Sequence, residues 1–151
     1  MKELKVQPIK DGTVIDHITP GNALKVLKIL GIEGRGDSII SIAINVVGKR
    51  GRKDIVKIEN RELDSNEVNK IALIAPNATI NIIRNYEVVE KHRVVVPDEI
   101  IGIVRCPNPN CISNSKEPIK PKFIVIKRQP LRIKCYYCER EPEMDIASLI
   151  I

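Results

Sequence analysis

At 151 residues, with 25 Lys and Arg against 19 Asp and Glu, a net charge of +6, one Phe and no Trp, the chain is long enough for one domain or two small ones and only mildly basic. No apolar run approaches the roughly 18 residues of a membrane span, and Met1-Lys2-Glu3-Leu4-Lys5 alternates charge instead of building a signal peptide, so no membrane partner is expected and the protein should be soluble and cytoplasmic. A pI near 9.2 is compatible with a phosphate-bearing partner, although a basic excess of this size usually describes only a solvated surface.

Leu4 to Ile9 alternates apolar and polar residues and predicts a short opening strand. After the Asp11-Gly12 turn, Thr13 to Ile18 reads as a second strand. Thr19 is placed to cap a helix with Pro20 at its first position, and Leu24, Leu27, Ile29 and Leu30 recur at helical spacing until Gly31 stops it. The glycines of Gly31-Ile32-Glu33-Gly34-Arg35-Gly36 follow a helix instead of opening one, so they predict a flexible connection and not a phosphate loop.

Ser38 to Val47, dense in β-branched residues, predicts a central strand. Gly48-Lys49-Arg50-Gly51 is its hairpin and Lys53 to Glu59 the partner strand. Asp64 with Glu67 three residues on resembles a capping box, and Val68, Ile71, Ala72 and Ala75 trace the apolar stripe of a helix ended by Pro76. Thr79 to Arg84 and Tyr86 to Glu90 follow as strands. From Thr13 the order is β-α-β-β-α-β, which predicts an α+β fold: a ferredoxin-like antiparallel sheet with two helices on one face, in a first domain over 1–97.

Residues 98–151 predict a second, small antiparallel β domain organised around the only four cysteines. Ile101 to Arg105 is a strand delivering Cys106, Phe123 to Lys127 and Leu131 to Lys134 form a hairpin delivering Cys135, and a last strand runs near Met144 to Ile150. Cys106-Pro107-Asn108-Pro109-Asn110-Cys111 and Cys135-Tyr136-Tyr137-Cys138 are two close pairs separated by a long insert, the spacing of a tetrathiolate zinc site. A disulfide framework is the bland alternative, disfavoured where thiols stay reduced, and a redox pair at Cys135 and Cys138 would have to open a helix. Four thiolates leave no open coordination position, so one structural zinc ion per chain is expected and no metal catalysis.

Little else could carry a reaction. His17 is adjacent to Asp16, and strand alternation would send the two to opposite faces; His92, between Lys91 and Arg93, should be solvated. Lys49, Arg50, Arg52 and Lys53 cluster on the hairpin, where a charged tip usually faces solvent. For stacking nucleic-acid bases the first domain offers only Tyr86, and the zinc ribbon, with Tyr136 and Tyr137 among basic residues, is the better candidate for that alternative.

The segments Gly12-Thr13-Val14-Ile15-Asp16-His17-Ile18, Gly51-Arg52-Lys53-Asp54-Ile55-Val56-Lys57-Ile58-Glu59-Asn60, Asn85-Tyr86-Glu87-Val88-Val89, Cys106-Pro107-Asn108 and Asn110-Cys111-Ile112-Ser113 resemble, in order and spacing, the regulatory chain of aspartate carbamoyltransferase. The resemblance implies a non-catalytic subunit of pyrimidine biosynthesis that forms homodimers through its first domain, links catalytic trimers through its zinc domain, and binds CTP, ATP and UTP as effectors, with nucleic acid not expected as a partner. It implies a nucleotide site at Gln7, Pro8, Ile9, Asp16, His17, Lys57, Asn81, Ile83, Tyr86, Val88 and Lys91, and contact with the catalytic chain at Asn108, Asn110 and Glu139. Gln7 stands where the family commonly has glutamate and Pro8 where it has alanine; Pro8 lacks an N–H, so a base contact needing that donor is lost. Tyr136 replaces a usual lysine, which makes that surface less electrostatic.

Overall fold

Five stretches of alternating apolar and polar residues pair into one antiparallel sheet. A computed structural model of the chain describes residues 8–31 and 38–151; the opening strand expected at Leu4 to Ile9 lies outside the described residues except for Pro8 and Ile9, which are not in a strand, and most of the glycine-rich connection also lies outside them. The chain divides into two compact units, Met1–Val95 and Val96–Ile151.

The first unit contains β1 (Gly12–Ile18), α1 (Ala23–Ile29), β2 (Ile40–Gly48), β3 (Gly51–Glu59), α2 (Ser65–Ile74), β4 (Thr79–Arg84) and β5 (Glu87–Arg93). The sheet order is β2-β3-β1-β4-β5 with every neighbouring pair antiparallel, a ferredoxin-like arrangement extended by β5 at one edge. Directly opposed residues share a face. Ile15 lies opposite Val56 and Ile80, and Thr13 opposite Ile58 and Ile82, all of them buried. Ala23, Val26 and Leu30 of the α1 region and Ile71, Ala72 and Ala75 of the α2 region complete this core.

α2 begins as expected: the Asp64 side chain accepts from Glu67 N–H at 2.8 Å, and the Glu67 carboxylate accepts from Asp64 N–H at 3.2 Å. α1 does not. Thr19 and Pro20 belong to a turn, the helix starts after Asn22, and Leu24 is exposed. The cap comes from β3, where the Asp54 carboxylate, fully buried, accepts from Gly21 N–H at 2.9 Å and Ala23 N–H at 3.2 Å with one oxygen and from Asn45 N–H at 2.8 Å with the other. Asn45 has a φ of 60° at the irregularity in the β2–β3 pairing, so one carboxylate holds both a strand bulge and a helix start.

The second unit contains β6 (Glu99–Ile101), β7 (Lys122–Arg128), β8 (Leu131–Cys135) and a helical turn, α3 (Ile146–Leu149), with strand order β6-β7-β8. Two expectations need correction. The strand placed over Ile101 to Arg105 ends at Ile101, because Gly102 turns the chain at φ +73° and donates its N–H to Pro121 O at 2.8 Å; beyond it only Val104 bridges, to Ile150. The strand placed near Met144 to Ile150 is instead one helical turn whose Asp145 side chain accepts from Ala147 N–H. Phe123, Ile100, Ile133, Val104 and Leu149 form the buried centre. Arg128 bonds Val96 O and Asp98 and fastens the start of the unit to β7.

Candidate functional site: a sheet face and a four-cysteine centre

The sheet face opposite the helices carries the residues expected at a nucleotide site. Val14 lies opposite Lys57 on one side and Asn81 on the other, and Asn81 lies opposite Lys91, so Lys57, Val14, Asn81 and Lys91 form one row across β3, β1, β4 and β5. Ile83 pairs with Gly12 and Val88 at the next level. Burial lowers Lys57 from its ordinary 10.5, while the Asp16 charge works against that shift. Tyr86 and Asn85 occupy a turn with φ of 67° and 53°; Tyr86 N–H donates to Lys10 O at 2.9 Å, Asn85 N–H to Asp11 at 3.0 Å, and the Tyr86 ring is exposed. Ile9 is buried and Pro8 exposed, while Gln7 lies outside the described residues.

Asp16 and His17 do not point to opposite faces. The β1–β3 register shifts between Ile15 and Ile18, and His17 takes a left-handed φ of 60°, which interrupts the alternation. His17 Nδ1 thus lies 3.1 Å from Thr79 Oγ1 and 3.9 Å from Asp16 Oδ2, one polar cluster at the end of the row. Lys53 Nζ approaches the Asp16 carboxylate at 2.9 Å. Lys53 belongs both to the charge cluster of the hairpin and to the expected partner strand; its even separation from Lys57, the period-2 spacing on β3, was the signal that puts the two on one face. His17, Thr79, Lys53 and Arg93 also line a cleft of about 1020 Å³ that continues to Lys49, Arg50 and Arg52 on the β2–β3 turn. His92 is exposed, as expected.

In the second unit the four sulfurs converge. Cys106 Sγ lies 3.7 Å from Cys138 Sγ, Cys111 Sγ lies 3.6 Å from Cys135 Sγ, and all four lie within 4.8 Å of one another. These separations are far from the roughly 2.05 Å of a disulfide. They fit four thiolates on one tetrahedral ion, whose metal–sulfur bonds of about 2.3 Å put neighbouring sulfurs about 3.8 Å apart. Cys106, Cys111 and Cys135 are buried, and Cys138 is partly exposed. Without metal, burial pushes the Cys106 thiol up to about 12 against the pull of the Asn108 N–H, and it also raises Cys135. At Cys138 burial raises the thiol too, but hydrogen bonds led by Arg140 N–H and the Asn108 side chain outweigh it and bring the group down to about 7. The tight turn after Cys135 closes through Glu139 N–H to Cys135 O at 2.9 Å, with Glu139 at a φ of 62°. Asn110 and Glu139 are exposed near the centre, and Asn108 is half-buried within it. Tyr136, also exposed, carries Lys122 Nζ 4.3 Å above its ring and meets Tyr137 edge to face at 5.2 Å.

A family model described as the aspartate carbamoyltransferase regulatory chain, allosteric domain, matches residues 4–95, and one described as the metal binding domain of the same chain matches residues 98–148. The chain belongs to the aspartate carbamoyltransferase regulatory chain family. Relatives bearing that name include one from Thermococcus sibiricus, 60% identical over 99% of this chain and 100% of its own length. Others come from Ignicoccus hospitalis, 60% identical over 99% and 98%, and Methanothrix thermoacetophila, 56% identical over 99% and 98%. The regulatory chain is thus a non-catalytic subunit with an allosteric domain and a metal-binding domain, and the four cysteines that converge all lie within the matched metal-binding domain. No helix among the described residues is long and apolar enough to cross a membrane.

Proposed function

We propose that the chain is the cytoplasmic allosteric subunit of aspartate carbamoyltransferase in pyrimidine biosynthesis, with residues 1–97 binding CTP, ATP and UTP and residues 98–151 holding one Zn2+ and docking catalytic trimers. The observation that carries the nucleotide assignment is the row of Lys57, Asn81 and Lys91 on one sheet face, with Asp16 and His17 on the adjacent level. Lys57 and Lys91 meet the triphosphate, Asp16 accepts from ribose or base donors, and main-chain groups around Ile9 and Tyr86 read the base edge. Zinc is the ion that suits four thiolates in a closed tetrahedral site. It orders the turns carrying Asn108, Asn110 and Glu139, which face the catalytic chain. A nucleotide then acts by binding one quaternary state more tightly than the other, with a coupling of about 1 to 3 kcal/mol.

Lys57→Ala should weaken CTP and ATP by about 10- to 100-fold, the loss of a charged hydrogen bond worth about 1.5 to 3 kcal/mol, while zinc content stays at one per chain. Because burial lowers Lys57 in the free protein and an arriving phosphate favours its charged form, binding takes up protons at pH values near and above the free-protein pKa of Lys57 and none well below it. Affinity is therefore full below the free-protein pKa of Lys57 and falls as pH rises through it. Calorimetry in buffers of different ionisation enthalpy would detect the uptake; unchanged affinity in the variant removes Lys57 from the site.

We place the homodimer contact at the outer side of β2, which pairs with no strand among the described residues and where Ile39, Ile44 and Val47 are exposed. Val47→Asp together with Ile44→Lys should convert dimers to monomers in sedimentation, and persistence of the dimer would move the interface elsewhere. The test of the whole reading is to mix the zinc-loaded chain with aspartate carbamoyltransferase catalytic trimers, measure mass by sedimentation, and follow activity while titrating CTP and ATP. A larger complex with nucleotide-dependent activity supports it; no complex with cognate trimers discards it.

A further inference from the structure

The two metal-binding loops close in different ways. In the Cys135–Cys138 loop the backbone suffices, since Glu139 N–H closes on Cys135 O and Cys135 N–H on Arg140 O, both at 2.9 Å. The Cys106–Cys111 loop holds four intervening residues, and its one backbone closure is Cys111 N–H to Asn108 O at 3.1 Å. The remaining closure comes from outside the loop. Asn114, on the turn of 3-10 helix at Ile112–Asn114, donates through Nδ2 to Cys106 O at 2.8 Å and to Asn108 O at 2.7 Å. Both hydrogens of one carboxamide thereby tie the Cys106 carbonyl to the Asn108 carbonyl, which also accepts from Cys111 N–H.

Asn108 is the residue this arrangement fixes. Its carbonyl accepts from Asn114 and from Cys111 N–H, and its Oδ1 accepts from Asn110 N–H at 3.1 Å, which sets the direction of the carboxamide. We infer that Asn114 is a positioning residue of the metal centre: it touches no sulfur, and by tying the Cys106 carbonyl to the Asn108 carbonyl it holds the first cysteine loop in the shape that brings Cys106 and Cys111 to the other two sulfurs, and so slows loss of the ion. The inference rests on the reading of the four thiolates as a metal site.

The test uses the full chain with Asn114→Asp, which keeps the shape but sets an oxygen against both carbonyls, and Asn114→Ala, which leaves them open. Zn2+ transfer to excess chelator and the ligand-field spectrum of the Co2+-substituted protein are measured for each. The expected result is metal affinity lowered by about 10- to 100-fold, the range for lost outer-shell partners, with the aspartate variant the worse of the two and the cobalt bands altered in both. Nucleotide binding should be unchanged. Variants that melt earlier yet keep wild-type cobalt bands and wild-type zinc transfer would overturn the inference, because a purely structural asparagine behaves that way. A wild-type chain that takes up neither ion would overturn the metal-site reading first and this inference with it.

Discussion

Removing the metal should unfold residues 96–151 while the first unit stays folded. The second unit packs few large side chains, with Phe123 its one aromatic residue in the core, and three of its buried positions are the cysteines themselves. Domains this small rarely hold together on apolar burial alone, and a structural zinc contributes about 10 to 16 kcal/mol to folding at neutral pH, more than such a core can replace. Metal removal also leaves Cys106 and Cys135 as buried protonated thiols whose pKa values stand above the ordinary one. Backbone amide spectra recorded before and after exhaustive chelation would show residues 96–151 collapsing into the unfolded region, with shifts of residues 8–95 retained. Cys111→Ser should do the same at ordinary zinc concentrations and abolish association with catalytic trimers. Full dispersion of both units in a chain shown by mass spectrometry to be metal-free would sink this account.

Asp54→Ala should destabilise the first unit by about 2 to 4 kcal/mol. Three backbone N–H groups, at Gly21, Ala23 and Asn45, lose the acceptor that Asp54 gives them; Ala23 is buried, and a buried donor left unpaired costs about 1 to 3 kcal/mol before relaxation, whereas Gly21 and Asn45 are exposed and lose mainly the cap and the bulge closure. The loss is not confined to one element, since the start of α1 and the β2 irregularity share the carboxylate. Asp54→Asn, which keeps one acceptor oxygen but turns an NH2 toward an N–H, should fall between wild type and alanine. Urea denaturation of the zinc-loaded chain followed by a first-unit probe would read both, and a change below about 1 kcal/mol in the alanine variant would show that the surroundings rehydrate.

How far each element could be read from sequence follows the distance over which its determinants act. The capping box needs only Asp64 and Glu67, the hairpin only Gly48 to Gly51, and the metal centre only the spacing within each cysteine pair, so all three were legible. The start of α1 was not, because its cap lies 31 residues away on another strand, and Thr19-Pro20 offered a plausible local substitute. His17 shows the same limit. Alternation holds along β1 until the register shifts, and the left-handed φ that shifts it leaves no mark in a histidine. At the C-terminus two local signals compete: Met144 to Ile150 is apolar enough for a strand, while Asp145 is a good N-cap residue, and the cap wins. Lys53 stands in a run of like charge that suits a hairpin tip as well as a strand face, so its partner Asp16 left no mark in the local pattern.

Each close sulfur pair joins one loop to the other, Cys106 to Cys138 across 32 residues and Cys111 to Cys135 across 24. The β7–β8 hairpin is local and brings its own loop to readiness quickly, whereas the first loop must find it by closing a long stretch of chain, and the ion is what holds that closure once made. Assembly of the second unit is therefore expected in an order: hairpin, capture of the ion by the later cysteines, then recruitment of the earlier ones. On the proposed reading, metal supply would set not only whether this unit is folded but when in the life of a newly made chain it becomes able to meet its partner.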